Sequence, residues 1–106
     1  MTIIIDECLP KRITIFFPEH KVWTVPQIGL GGYKDTDLLN ELDKKDVDIL
    51  ITIDGNIEYQ QQFIDREFKT IVIRAVSNRF SDLEQFKDRL REALLEKNLS
   101  NIIHVS

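Results

Sequence analysis

Three aspartates in this sequence stand where a parallel sheet would gather carboxylates. Asp6 follows the β-branched run at residues 2–5, Asp54 follows the run at residues 49–53, and Asp35 lies at the start of an expected helix. Carboxylates held at one edge repel each other unless a cation or shared protons compensate. Hard divalent ions prefer oxygen ligands, so the pattern favours Mg²⁺ or Mn²⁺, whose usual role is to neutralise a phosphodiester and orient a water.

These aspartates depend on an alternation of strands and helices. Short runs rich in Ile, Val and Thr predict strands at residues 2–5, 22–25, 49–53, 70–73 and 102–105. Helices are expected after Pro10, near residues 38–45, and at residues 82–97, where Ser81 and Glu84 would form a capping box. The alternation predicts an α/β fold, a three-layer α/β/α sandwich with a mainly parallel central sheet. Ligands bind such sheets beyond the carboxyl ends of the strands, where the aspartates fall.

Composition limits the class of protein. A chain of 106 residues predicts a single domain over residues 1–106, and 42% apolar with 30% charged residues is typical of a chain that folds alone. Fourteen basic against eighteen acidic residues give a net charge of -4, which argues against a broad basic surface for nucleic acid. The single Cys excludes an internal disulfide, and no apolar run or basic leader suggests a membrane span or signal peptide. We therefore expect a soluble cytoplasmic protein that does not bind membranes.

Several short motifs resemble those of small bacterial PIN-like proteins. They are Ile-Ile-Asp-Glu-Cys-Leu-Pro at 4–10, Gly-Gly-Tyr-Lys-Asp at 31–35, Ile-Thr-Ile-Asp-Gly-Asn-Ile at 51–57, Tyr-Gln-Gln at 59–61 and Ser-Asn-Arg at 77–79. PIN domains are metal-dependent nucleases that cut RNA, and many are toxins of toxin–antitoxin pairs, as in the VapC type. The resemblance implies a PIN-like ribonuclease that uses Mg²⁺ or Mn²⁺. It also implies a small antitoxin-like partner and pairing with a second copy of the chain.

Carried onto this sequence, the resemblance assigns metal binding and catalysis to Asp6, Asp35 and Asp54. Asn56 takes the place of a further site acid, and its amide can coordinate through oxygen but adds no charge. Glu7 is adjacent to the first ligand and could supply charge in a supporting role. The motif therefore departs from a four-acid pattern, which leaves one or two ions open.

Two more residues are predicted to support the site or bind substrate. Gln60 follows Asp54 within two helical turns, and Arg79 follows the fourth predicted strand, where its guanidinium could grip a phosphate in a bidentate manner. Ordinary structural roles compete with these functional ones. A solvated helix face for Gln60, a surface ion pair for Arg79, an N-cap for Asp35 and simple packing for Cys8 all remain open.

Two other functions fit the same residues. In a receiver-type domain, Asp54 would accept a phosphoryl group, although no Lys follows the last predicted strand, where receivers carry one. A catalytically degenerate PIN-like module would bind RNA or a protein without cutting, a reading that the neutral Asn56 motivates.

Overall fold

A computed structural model describes residues 1–57, 66–96 and 101–106 of the chain. Within these residues, five strands form one sheet with the order β2-β1-β3-β4-β5. The strands are β1 (Thr2–Ile5), β2 (Lys21–Thr24), β3 (Ile49–Thr52), β4 (Lys69–Ile73) and β5 (Ile102–Val105). Every neighbouring pair is parallel, so the α/β class and the parallel sheet are confirmed. The predicted ends of β2, β3 and β4 differ from the observed ends by one residue.

The order of the strands places two strand ends side by side. β1 lies between β2 and β3, and Ile5 of β1 pairs with Ile51 of β3. The residues that follow, Asp6 and Thr52, therefore leave the sheet at the same level. The chain reverses its direction of winding between β1 and β3, which is the place where open α/β sheets of this order bind ligands.

Apolar side chains cover both faces of the sheet. On one face, Ile4 and Leu50 belong to a cluster with the buried leucines of helix α1 (Asp35–Asp43). On the opposite face, Ile5, Ile51 and Ile71 belong to a cluster with residues of a 3₁₀ helix (Lys11–Phe16) and of helix α3 (Lys87–Leu94). Because both faces are buried, the central strands are continuous aliphatic runs rather than alternating ones.

The helix expected after Pro10 is a 3₁₀ helix rather than an α-helix. Its bonds connect residues three apart, as in the 3.2 Å bond from the Ile13 N–H to the Pro10 carbonyl. Three consecutive β-branched residues, at 13–15, disfavour the α-helix here, and Pro18 stops the chain from continuing. The segment still buries Phe16 against the sheet.

The helix predicted at residues 82–97 is divided. Helix α2 (Phe80–Leu83) leads through a 3₁₀ turn (Glu84–Phe86) into α3, which ends at Leu94. Residue 97 lies outside the described residues. None of these described helices is both long and apolar enough to cross a membrane.

The capping box at Ser81 and Glu84 was wrong. The helix begins earlier, at Phe80, and Arg79 occupies the cap position without a side-chain hydrogen bond. A different serine organises this turn: the Ser77 hydroxyl donates to Asp82 and accepts the Arg79 N–H at 3.1 Å. The start is displaced because Phe80 packs on Phe16, at 5.5 Å between ring centroids, and so enters the first turn.

Candidate carboxylate site at the strand ends

Asp6 is a buried carboxylate fixed by neighbours on two strands. Its side chain lies directly after β1 and the residue is only 7% exposed. Oδ2 accepts a 2.7 Å hydrogen bond from the Thr52 hydroxyl, and Oδ1 accepts the Glu7 N–H at 2.8 Å. The Asp6 N–H continues the sheet by donating to the Ile51 carbonyl at 2.9 Å. These bonds leave the carboxylate little freedom to rotate.

Thr52 links two of the predicted acids and was missed as a site residue. Its hydroxyl donates to Asp6 and accepts the Asp54 N–H at 3.0 Å, and the residue is fully buried. A hydroxyl can donate one bond and accept others, so Thr52 serves both partners at once. A signal was present in the sequence, since a polar residue interrupts an aliphatic strand two positions before an aspartate.

Asp54 caps the turn that follows β3. Its Oδ1 accepts the Asn56 N–H at 2.9 Å, and its carbonyl accepts the Ile57 N–H at 3.3 Å. This arrangement is typical of an aspartate that begins a turn or helix. Asn56 is thus adjacent to the site through its backbone, whereas its side chain is exposed.

Asp35 completes the acidic group from another segment. It is the first residue of α1, and Lys34 occupies the N-cap position, so Asp35 is not the cap that the sequence also allowed. Burial raises the pKa of Asp35, and the negative charges of Asp54 and Asp6 raise it further, together with a side-chain hydrogen bond to Asp54. A helix N-terminus favours the charged form. The pKa is nevertheless raised, first by burial and then by the two carboxylates, so Asp6 and Asp54 both lie within electrostatic reach of Asp35.

Glu7 lies at the edge of this group and holds a loop. Its two carboxylate oxygens accept the Gly32 N–H at 3.1 and 3.3 Å. Gly32 has a φ of 81°, a conformation that L side chains rarely adopt. Because this loop leads directly into α1, Glu7 positions the segment that carries Asp35.

Cys8 is a packing residue beside the acids. Its Sγ lies 3.5 Å from both Asp6 Oδ2 and Thr52 Oγ1. Burial raises the pKa of the Cys8 thiol, and the charge of Asp6 also raises it. A protonated thiol is a poor nucleophile, so these surroundings favour the packing role that the sequence suggested.

The remaining predicted residues have different positions. Gln60 lies outside the described residues. Arg79 is exposed, and its neighbour Asn78 donates a 3.0 Å bond to the Cys8 carbonyl, which ties the loop after β4 to the loop after β1. Arg74, which the sequence analysis did not select, lines the same cleft as Asp54. Its position directly after β4 was the signal available, since residues after parallel strands face the ligand edge.

The donor set consists of oxygen atoms and suits a hard cation more than zinc. Among residues 1–57, 66–96 and 101–106, however, no three or more His, Cys, Asp or Glu side chains are arranged as a metal site. Asp35 and Asp54 face each other through a hydrogen bond. A cation bound by Asp6, Asp35 and Asp54 would offset the repulsion among these carboxylates.

Neither a protein-family model, nor a curated protein, nor a solved structure matches this chain. The function is therefore argued from the site alone.

Proposed function

We propose that this protein is a PIN-like, Mg²⁺- or Mn²⁺-dependent ribonuclease with the three-layer arrangement of that family. One observation carries the proposal: the Thr52 hydroxyl joins Asp6 to the Asp54 N–H where β1 and β3 end, and Asp35 at the start of α1 lies close enough that their charges add to the effect of burial in raising its pKa. Carboxylates from three separate segments therefore meet at the ligand-binding edge of a parallel sheet. Their mutual repulsion lowers the stability of the folded protein, and the simplest way to offset it is to bind a divalent cation between them.

Each acid contributes differently to this site. Asp6 is held rigidly by Thr52 and by the Glu7 N–H, so it supplies a fixed charge at the carboxyl end of β1. Asp54 is held through its own N–H by the same hydroxyl, and it shares a hydrogen bond with Asp35. When bound, a divalent cation supplies charge neutralisation at the phosphodiester and a more acidic water.

The test is cleavage of a fluorescently labelled single-stranded RNA in Mn²⁺, in Mg²⁺ and in EDTA. We expect cleavage only with a divalent ion, and Asp6→Asn, Asp35→Asn and Asp54→Asn should reduce it to the level seen in EDTA. The melting temperatures of Asp35→Asn and Asp54→Asn should stay the same or rise because repulsion is relieved, whereas Asp6→Asn should lower the melting temperature because its amide nitrogen cannot accept one of the two bonds that Asp6 accepts. Asp46→Asn is the control, since Asp46 is an exposed acid in the turn before β3.

Cation binding can be measured apart from cleavage. Mn²⁺ that binds only the folded protein stabilises it by RT ln(1 + [Mn²⁺]/Kd), about 2.7 kcal/mol at one hundred times Kd. The Asp54→Asn protein should lose this stabilisation, and the Asp46→Asn protein should keep it. Stabilisation without cleavage would favour the non-cutting PIN-like module, and the absence of both would refute the nuclease proposal.

The order of the strands favours a second candidate, the receiver-type domain. The order β2-β1-β3-β4-β5 is also that of receiver domains, and Asp54 follows β3 as a phospho-acceptor does. Incubation with acetyl phosphate and Mg²⁺ distinguishes the two functions by intact mass. A receiver gains about 80 Da, for one phosphoryl group, at Asp54 and loses the gain in Asp54→Asn, whereas a nuclease shows no such gain.

An antitoxin-like partner and a paired second copy belong to the same proposal. An antitoxin-like protein that covers the acids should inhibit RNA cleavage in proportion to its binding. The mass of the purified protein in solution reports whether two copies associate.

A further inference from the structure

A cleft beside the acids contains a basic residue that the nuclease proposal does not use. It has a volume of about 410 Å³ and is lined by residues 53–56 and 72–75. It therefore opens between the carboxyl ends of β3 and β4, with Asp54 on one wall and Arg74 on the other.

The backbone fixes Arg74 in this position. Thr52 pairs with Val72 in the sheet, so the two chains leave β3 and β4 at the same level. The Arg74 N–H then donates a 2.8 Å bond to the Val105 carbonyl of β5. The residue as a whole is exposed, and it already has an interaction partner, so a phosphate in the cleft would share Arg74 with that partner. Five N–H donors allow it to hold a phosphate in addition to a protein neighbour.

The chemistry of the walls selects the ligand. A guanidinium binds phosphate with two parallel hydrogen bonds, and Asn56 on the opposite side can bond to a base edge through its amide. The half-buried Ile53 and Ala75 add apolar surface on which a ribose or base can pack. The volume lies at the low end of the range for small-ligand clefts, about 300–1,000 Å³, so it admits one nucleotide unit and not a duplex.

We infer that this cleft binds one nucleotide of single-stranded RNA, with Arg74 on its phosphate. The inference rests on the proposed function, because it assigns the cleft next to the acids to the substrate of that site. It commits to an unpaired strand, since a base within a duplex has no free edge to enter the cleft.

The opposite charges on the two walls predict opposite effects of substitutions on phosphate binding. Asp54 repels a phosphate in the absence of divalent ions, whereas Arg74 attracts it. In EDTA, the affinity for the dinucleotide UpU should therefore fall about tenfold in Arg74→Ala and rise in Asp54→Asn. Arg74→Lys should bind more weakly than the parent because it loses the bidentate geometry.

The experiment is an NMR titration of the ¹⁵N-labelled full chain with UpU in EDTA, and with uridine as the ligand that lacks phosphate. UpU should shift the amide resonances of Gly55 and Asn56. Uridine should bind the parent more weakly than UpU does, and in Arg74→Ala the two ligands should bind with equal affinity. Lys45→Ala is the matched control for a lost positive charge, since Lys45 is exposed and follows the far end of α1. It should bind UpU as the parent does.

Each outcome bears on one proposal. Equal UpU affinity in Arg74→Ala and Lys45→Ala, shifts confined to another surface, or no binding of UpU at all would each overturn the nucleotide cleft. That result leaves the nuclease proposal standing if Asp54→Asn still abolishes Mn²⁺-dependent cleavage. Conversely, Arg74-dependent binding without any cleavage supports the cleft and refutes the nuclease.

Discussion

The Thr52 hydroxyl donates a 2.7 Å hydrogen bond to Asp6 Oδ2 and so joins two strands where both of them end. The two residues are 46 positions apart in the chain, but the pairing of β1 with β3 makes them neighbours. The same hydroxyl accepts the Asp54 N–H. One buried side chain therefore sets the relative positions of two of the three acids.

Replacing Thr52 with Val removes that hydroxyl and keeps the shape of the side chain. Asp6 loses a donor and the Asp54 N–H loses its acceptor, so the free energy of unfolding should fall by about 1–3 kcal/mol. Urea denaturation measures this loss. Hydrogen exchange at the Asp54 amide should become faster in Thr52→Val.

Thr52→Ser is the control for this change. It keeps the hydroxyl and loses one buried methyl group, at a cost of about 0.8 kcal/mol. Exchange at the Asp54 amide should remain slow in this variant. Equal exchange rates in the Val and Ser variants would show that the hydroxyl does not hold Asp54.

Asp35 should make the stability of the protein depend on pH. Its pKa is raised in the folded state from the ordinary value of 3.8, so the folded protein retains a proton that the unfolded chain releases. Stability from this group is therefore greatest at low pH and decreases as the pH rises from 3.8 through the folded pKa. Asp35→Asn removes that decrease and should stabilise the protein at pH 7, by less than about 1 kcal/mol because solvent screens a partly exposed group.

Urea denaturation of the parent and Asp35→Asn between pH 4 and pH 8 measures this effect. The difference in unfolding free energy should grow with pH. Asp37→Asn removes an exposed carboxylate from the first turn of the same helix and serves as the control. If both variants change the pH profile equally, the acidic group is not the cause.

Two adjacent glycines in the loop before α1 should respond differently to alanine. Gly32 has a φ of 81°, and a side chain there costs about 1–2 kcal/mol. Gly31 has no such backbone conformation, and a Cβ would lie 3.7 Å from the nearest atoms of Pro26, an ordinary contact. Thermal denaturation should therefore show a clear loss for Gly32→Ala and little change for Gly31→Ala. Equal losses of melting temperature in the two variants would show that the positive φ of Gly32 is not what restricts substitution in this loop.

An ion pair that is buried on its arginine side should stabilise the end of α1. Arg66 Nη1 lies 2.5 Å from Asp43 Oδ2; the Arg66 side chain is only 4% exposed and the Asp43 side chain 26%. In Asp43→Ala, Arg66 Nη1 keeps only its bond to Asn40, so the free energy of unfolding should fall by about 1–3 kcal/mol. The exposed pair of Lys44 and Glu41 is the comparison, and Lys44→Ala should cost less than about 1 kcal/mol.

A double-mutant cycle with Asp43→Ala and Arg66→Met isolates that interaction. Removing both charges should restore much of the stability lost in Asp43→Ala, because no unpaired charge then remains buried. Strictly additive losses would mean that the two side chains act independently.

Much of the architecture was predictable because the strands are continuous aliphatic runs. Such runs are typical of strands with two covered faces, and the first and last strands end at the expected residues. The helices were harder to predict, because tertiary contacts decided their limits. Phe80 enters a helix by packing on Phe16, a contact between residues far apart in the chain.

The acids were predictable from their positions after strands, whereas their supporting residues were not. Asp6 directly follows β1 and Asp54 follows β3 after one residue, so topology alone brings them to one edge. The link through Thr52 depends on the pairing of β1 with β3, and the bond from Gly32 to Glu7 depends on the path of a loop. Neither can be read from local sequence. Arg74 directly follows the predicted end of β4 but was overlooked, because the resemblance drew attention to the Ser-Asn-Arg motif at 77–79.

The two walls of the cleft come from different parts of the polypeptide. Every acid of the candidate site lies within the first 54 residues, and Arg74 follows β4 in the later part of the chain. If the cleft binds the substrate as inferred, substitutions near residue 74 would change ligand preference without altering the carboxylates. Substrate choice and reaction chemistry would then change through substitutions at separate positions of the chain.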